Sequence, residues 1–339
     1  MPADLAEVAS RFHAVATRIL DAKELPVDPW LYRYCGFNSD PTKAARYVRH
    51  QVDLLELSGR GVEDAVVIDV GCGFGFALIV HALLGARSVH GIEVYPGMVS
   101  TVEAYLPLLP PEISSRMTIA QASAASMPFE DRSADIVLSI EAISHYLDVD
   151  AFIDESWRVL RPGGVVIIAD GNNATNPKLR ARAEDLWEAF ESGPEGREVH
   201  GHLVGVPYVA RRRQVLTDNL PALSEQARDD LAARTAGFTD DQVLAAGRAY
   251  VEQGLLPDSR YRRGQLAIAP DGQAMERLFV PHELARSMQR RGFQAKAYGY
   301  WGGASGSSAV RLANRALAAL SPLTMRYSRS FRVIARKRA

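Results

Sequence analysis

Short apolar runs separated by helical segments dominate the chain from Ala65 onward. Five of these runs are rich in β-branched residues, namely AVVID, SVHGIE, MTIAQ, ADIVLSI and GVVIIA. Such runs, alternating with helices, are typical of parallel strands buried on both faces and joined by right-handed crossovers. The pattern therefore predicts an α/β fold with a mostly parallel sheet.

This pattern and the regions on either side of it divide the chain into four predicted parts. Residues 1–60 form an N-terminal helical segment, with one helix capped by Asp40 and begun by Pro41. Residues 61–170 form a Rossmann-like core, and residues 171–280 a mainly helical insertion after strand five with helices at 179–191, 224–236 and 240–253. Residues 281–339 return to complete a seven-stranded sheet with QAKAYGYW and SFRVIARK. An insertion at this place predicts a lid over a discrete substrate.

Composition excludes several classes of protein. The chain has 339 residues, of which 47% are hydrophobic and 23% charged, and its formal net charge is -1. These values are ordinary for a globular protein and give no support to a nucleic-acid partner. With two cysteines, Cys35 and Cys72, and no secretory signal at the N-terminus, we expect a cytoplasmic protein without disulfides. The apolar run 65–86 is broken by Asp69 and three glycines, so we expect no transmembrane segment.

Basic residues are unevenly placed. Residues 307–339 carry eight Arg or Lys and no acid, and RRR occurs at 211–213. We interpret both, and RYRR at 260–263, as solvated charge. The alternative is an anionic partner, such as a phosphorylated substrate or a lipid surface, with weak membrane contact through the C-terminus. An oligomer is compatible with the sequence.

The segment VVIDVGCGFG bends between a strand and a helix. Its glycines Gly71, Gly73 and Gly75 allow a tight turn and close approach of a ligand. Glu93 closes the next strand, eighteen residues after Gly75, where a carboxylate can bind ribose hydroxyls. A dinucleotide fingerprint requires its third glycine where Phe76 stands, which argues against an NAD(P)-dependent oxidoreductase.

With Asp69 before the first glycine, this loop resembles motif I of class I S-adenosylmethionine (SAM)-dependent methyltransferases, D-x-G-x-G-x-G. The resemblance is closest to the type 11 methyltransferase group. It continues through ASAASMPF, ADIVLSIEAISHY and WRVLRPGGVVIIAD, and covers about residues 65–170 plus the closing strands.

The resemblance implies SAM as cofactor and S-adenosylhomocysteine as product. It implies that Asp69 and the backbone of Gly71 to Gly73 hold the methionine end and that Glu93 binds the ribose. The remaining positions that it assigns to the cofactor are Cys72, Val94, Ser123, Ala124, Ser139 and Glu141. Ser123 stands where the family has Asp, so the Ala124 amide takes over part of the adenine contact.

Methyl transfer from a sulfonium mainly requires alignment, with a base only where the acceptor must lose a proton. His145, just beyond the fourth strand, is the candidate catalytic base, and packing against SAM or capping a helix is the alternative. Asp170, Asn172 and Asn173 carry oxygen ligands suited to Mg²⁺, but a turn or substrate contact is favoured, so we predict no metal.

The sequence therefore predicts an enzyme that moves a methyl group from SAM to O, N or C of a small-molecule acceptor. The acceptor is expected to be a natural product, a carbohydrate or a lipid-like compound. The alternatives are an NAD(P)-dependent oxidoreductase and a non-catalytic SAM-binding module.

Overall fold

The computed structural model describes residues 4–22, 24–269, 275–301, 308–321 and 323–338. The chain forms two compact units, Met1–Gly171 with Val280–Ala339, and Asn172–Phe279. Among the described residues, no helix combines the length and apolar character needed to cross a bilayer.

The strands are β1 (Val66–Val70), β2 (Ser88–Glu93), β3 (Met117–Gln121), β4 (Ala134–Ile140), β5 (Leu160–Asp170), β6 (Glu198–Val199), β7 (His202–Leu203), β8 (Phe293–Tyr300) and β9 (Ser330–Lys337). The α-helices are α1 (Leu5–Asp21), α2 (Trp30–Asn38), α3 (Pro41–Ser58), α4 (Phe76–Leu83), α5 (Pro96–Tyr105), α6 (Pro111–Ser114), α7 (Val149–Val159), α8 (Pro177–Ser192), α9 (Tyr208–Asn219), α10 (Glu225–Arg234), α11 (Asp240–Gln253), α12 (Pro281–Arg290) and α13 (Ser308–Ala319). Short 3₁₀ turns lie at Leu106–Leu108, Ile143–His145 and Met325–Tyr327.

A seven-stranded sheet runs through the first unit in the order β3-β2-β1-β4-β5-β9-β8. The strands β1 to β5 run parallel to one another, and β9 is antiparallel to both β5 and β8. The predicted mostly parallel sheet is confirmed. The strand order reverses between β1 and β4, and ligands of open α/β sheets bind beyond the carboxyl ends of the strands at such a point.

Helices of the N-terminal segment pack on one face of this sheet. Asp40 caps α3 by accepting hydrogen bonds from the amides of Thr42 at 2.8 Å and Lys43 at 3.2 Å, as its sequence predicts. The buried ring of Phe12 in α1 stacks on Tyr47 of α3, with ring centroids 5.4 Å apart. Burying an aromatic side chain of this kind contributes roughly 1.5–3 kcal/mol, so this contact holds α1 against α3.

The second unit contains α8 to α11, which agrees with its predicted helical character, and also a short hairpin of β6 and β7. Neither this hairpin nor α9 follows from the sequence pattern. The interpretation of RRR as solvated charge is wrong for Arg212, which is fully buried and ion-paired with Glu191. Its Nε also donates to the Ala232 carbonyl at 2.9 Å, so Arg212 joins three helices of this unit. The role of the unit as a lid stays a prediction.

Candidate active site at the carboxyl edge of the sheet

The loop after β1 is held in a strained bend by two hydrogen bonds. The amides of Gly71 and Cys72 donate to the Ile92 carbonyl at 2.8 and 3.1 Å. Gly71 has φ of +69°, and a Cβ there would lie 2.7 Å from the Cβ of Ala142, so glycine is required. Gly73 has φ of +54°, but a Cβ would meet only the Met98 Sδ atom, at 3.9 Å, among the described residues. A hollow therefore opens beside Gly73.

Glu93 faces this hollow from the end of β2. Its carboxylate accepts hydrogen bonds from the amides of Gly73 at 3.0 Å, Val94 at 2.8 Å and Tyr95 at 3.1 Å. These contacts tie the glycine loop to the segment that begins α5. Three amides leave a carboxylate able to accept a further donor, such as a sugar hydroxyl.

The Asp69 carboxylate lies near the end of β1 and is only 3% exposed. Within the described parts of the chain, no hydrogen bond or ion pair reaches this carboxylate. Burial, together with the negative charge of Glu93, raises the pKa of Asp69 to about 8. Burial and the charge of Asp69 also raise the pKa of the Tyr47 hydroxyl above its usual range. A buried carboxylate without a partner is costly, and a bound cation would relieve that cost.

Residues at the end of β4 and in the turn after it contact the base of the glycine loop. The Tyr146 hydroxyl donates to the Val70 carbonyl at 2.7 Å, and the Ser139 hydroxyl lies 2.9 Å from the same tyrosine oxygen. Burial raises the pKa of Tyr146, which keeps the phenol protonated. The side chain of Ser139 is thus committed to holding Tyr146 beneath Gly71, and its predicted contact with the cofactor stays a prediction.

Glu141 and His145 follow β4 at the same edge. Glu141 is exposed, with φ of +51°, and its carboxylate accepts a hydrogen bond from the Gly171 amide at 2.9 Å. His145 ends the turn Ile143–His145 and is exposed. The fold brings both residues to the carboxyl ends of β4 and β5, where ligands of open α/β sheets bind. The role of His145 as a base stays a prediction.

The predicted adenine contacts lie beyond β2 and β3. Val94 is 67% exposed, which leaves an apolar surface next to Glu93. The Ala122 amide donates to the Glu93 carbonyl at 3.1 Å and so draws this segment to the end of β2. The Ser123 hydroxyl accepts from the Ala125 amide at 3.2 Å, and Ala124 is half-buried. Ser123 therefore shapes a turn beside the apolar surface.

A buried arginine near the end of β5 is not recognisable as a site residue from sequence. Arg332 of β9 is paired with Ala169 of β5, and its guanidinium lies 4.1 Å from the centroid of the Tyr300 ring. Burial and the charge of Arg332 lower the pKa of His50 to about 3. The interpretation of the basic C-terminus as solvated charge is wrong for Arg332, which is only 3% exposed. Its signal in the sequence is a basic residue within the otherwise apolar first half of SFRVIARK.

No group of three or more His, Cys, Asp or Glu side chains suited to a metal ion occurs among the described residues. Asp170 is buried at the end of β5 and accepts a hydrogen bond from the Ser144 amide at 3.4 Å. This contact ties Asp170, at the end of β5, to the turn that follows β4.

The hollow fits SAM in four respects. The unpartnered Asp69 carboxylate suits the ammonium of the methionine end, and the open side of Gly73 admits its backbone. Glu93 suits the ribose, and the exposed side chain of Val94 suits a flat base.

Comparison with known proteins agrees with this geometry. Residues 68–168 match the family described as methyltransferase domain. The 2-methyl-6-phytyl-1,4-hydroquinone methyltransferase of Synechocystis is 31% identical over 161 residues, which are 46% of this chain and 48% of that protein. The sterol 4-C-methyltransferase of Caenorhabditis elegans is 31% identical over 121 residues, 36% of this chain and 34% of that protein.

The chain thus spans half or less of the length of these two relatives. Among solved structures, the YcgJ protein of Bacillus subtilis is 14% identical, with a TM-score of 0.45 over 86% of this chain and 99% of that one. The family match covers the strands that build the hollow, from β1 to β5. Residues 68–168 are therefore similar to a methyltransferase domain, and the loops after β1, β2 and β4 described above lie within that match.

Proposed function

We propose that the chain transfers the methyl group of SAM to an O, N or C atom of a small, lipid-like acceptor. One observation carries the cofactor part of this proposal. The buried Asp69 carboxylate has no partner among the described residues, and it lies in the loop that opens beside Gly73. A cationic amino-acid tail is the ligand that such a hollow recognises, because it supplies the missing charge.

The proposed acceptor class is supported by the relatives. The two enzymes compared above are named for a phytyl hydroquinone and a sterol, both largely apolar molecules. Among the natural products, carbohydrates and lipid-like compounds that the sequence left open, their names favour the last. A small apolar acceptor also suits catalysis by alignment, because its ring or chain can be held by packing.

We assign each residue a separate task in this reaction. SAM supplies an electrophilic methyl group. Asp69 holds the ammonium of its methionine end, and Glu93 holds its ribose. Tyr146 holds the start of the glycine loop in place by donating a hydrogen bond to the Val70 carbonyl. His145, exposed at the acceptor edge, takes the acceptor proton when the accepting atom carries one.

The test uses the full chain and SAM labelled in its methyl group. The protein is incubated with an organic-solvent extract and, separately, with a water-soluble extract of cells. We expect label to enter a product of the organic extract, and not to do so with the Asp69→Asn variant. Label found only in the aqueous extract would overturn the lipid-like acceptor.

Two other results would overturn the proposed activity. SAM binding without label transfer to either extract would indicate a non-catalytic binding module. Binding of NADH, with no binding of SAM or S-adenosylhomocysteine, would indicate an oxidoreductase. Calorimetry with each nucleotide separates these two results.

A further inference from the structure

The helix α13 carries an apolar stripe that faces outward. Its residues are Leu312, Ala316, Leu320 and Leu323, and all four are exposed, Leu312 at 70% and Leu323 at 78%. The spacing of four residues places Leu312 and Ala316 on one side of α13, and Leu320 and Leu323 follow just beyond its last residue, Ala319. We call these four residues the α13 stripe.

The opposite side of the helix is the one attached to the protein. The Asn314 side chain accepts a hydrogen bond from the Trp301 amide at 3.2 Å. The Thr324 hydroxyl donates to the Leu317 carbonyl at 2.9 Å, next to the fully buried Met325. The helix is therefore oriented with its polar and half-buried positions inward. An apolar face that points into water marks an interaction site.

Positive charge surrounds the stripe. No Asp or Glu occurs between residues 284 and 339 of the sequence. Arg315 is 74% exposed at its side chain, and its guanidinium reaches Glu56 at 3.1 Å. Arg326 and Arg329 follow the helix and are both exposed, and Arg326 lies 5.2 Å from the ring centroid of the exposed Tyr327. Apolar side chains flanked by arginines and a tyrosine are the combination found at lipid–water interfaces.

We propose that the α13 stripe docks on the surface of an anionic lipid bilayer. The leucines enter the headgroup boundary, while Arg326 and Arg329 contact the anionic headgroups. A second copy of the chain is a poorer occupant, because a symmetric contact buries the same surface of both chains and would bring their basic residues together. The inference does not depend on methyl transfer, since adsorption requires no turnover.

The test is sedimentation of the full chain with lipid vesicles. We expect binding to vesicles of equal parts phosphatidylcholine and phosphatidylglycerol, weak binding to phosphatidylcholine alone, and release by salt. The double variant Leu312→Ser with Leu320→Ser should lower the partition coefficient at least about tenfold. The double variant Arg326→Ser with Arg329→Ser should lower it about tenfold on anionic vesicles only.

A matched control is available in the second unit, where Leu255 and Leu256 are also exposed. Leu255→Ser with Leu256→Ser should leave vesicle binding unchanged. Thermal unfolding by circular dichroism and calorimetry with S-adenosylhomocysteine should be the same for every variant, because the changes lie on the surface. Loss of nucleotide binding in all forms would count against the proposed function and leave the lipid result intact.

Three outcomes would overturn the proposal. The first is wild-type protein that stays in the supernatant with anionic vesicles. The second is sedimentation that the serine changes at Leu312 and Leu320 do not reduce. The third is a dimer in light scattering that these changes convert to a monomer, which would assign the stripe to a second copy.

Discussion

Replacement of Asp69 by asparagine should change how stability depends on pH. The pKa of an aspartate in an unfolded chain is about 3.9. In the folded protein, burial and the charge of Glu93 raise the pKa of Asp69 to about 8. Between these values the folded state holds a proton that the unfolded state has released. Stability must therefore fall as pH rises through this window, by at most about 1.4 kcal/mol per pH unit, and level off above the folded pKa.

The window from about pH 6.5 to about pH 8 isolates this contribution. Half-buried His50 and buried His81, whose pKa values are lowered to about 3 and about 4, act in the opposite direction below about pH 7, and they are common to both proteins, so they cancel in the difference. The amide of the Asp69→Asn variant cannot titrate, so the variant lacks the decline. We expect the difference in unfolding free energy, variant minus wild type, to grow by about 1–2 kcal/mol across this window. Urea unfolding followed by fluorescence at several pH values measures it.

The same substitution should weaken binding of the cofactor. Below about pH 8, pairing of Asp69 with an ammonium requires loss of the carboxyl proton, so binding of S-adenosylhomocysteine should release protons. Calorimetry in buffers of different ionisation enthalpy detects this release. The Asp69→Asn variant should release none and bind at least about tenfold more weakly. Equal pH slopes for the two proteins, or wild-type binding without proton release, would refute the reasoning.

Four further substitutions have distinct expected results. Glu93→Gln replaces one acceptor oxygen with a donor that opposes the loop amide, and calorimetry should show about tenfold weaker nucleotide binding. Gly91→Ala puts a Cβ 2.6 Å from the Cys72 Sγ atom, and the urea midpoint should indicate a loss of about 1–3 kcal/mol. Tyr146→Phe leaves a carbonyl of β1 without its donor, and the same measurement should show a loss of about 1–3 kcal/mol. His145→Gln should lower kcat for an acceptor that loses a proton while nucleotide affinity stays within about twofold, and an unchanged kcat would remove His145 as the base.

The core strands are predictable because buried parallel strands leave continuous apolar runs. SVHGIE, MTIAQ and ADIVLSI coincide with β2, β3 and β4. The strands β6 and β7 have two residues each, too few to show alternation. Arg212 reads as surface charge because its partner, Glu191, lies twenty-one positions earlier and meets it only in the folded unit. Pairings between distant positions carry no local signal.

Some features of the candidate site can likewise be predicted from the sequence, and others cannot. The motif around Gly71 and the acid at Glu93 are visible in sequence because spacing and residue type suffice to identify them. The missing partner of Asp69 and the position of Arg332 over Tyr300 depend on burial and on contacts between elements. Such properties follow from the packed structure, and they are the ones that decide the charge of the site.

A crystal structure of the full chain with S-adenosylhomocysteine tests the central claim most directly. We expect the ligand ammonium within hydrogen-bonding distance of the Asp69 carboxylate, with the amino-acid tail against Gly73 and the ribose hydroxyls on Glu93. A ligand bound elsewhere, or an Asp69 carboxylate that stays without a partner in the complex, would contradict it.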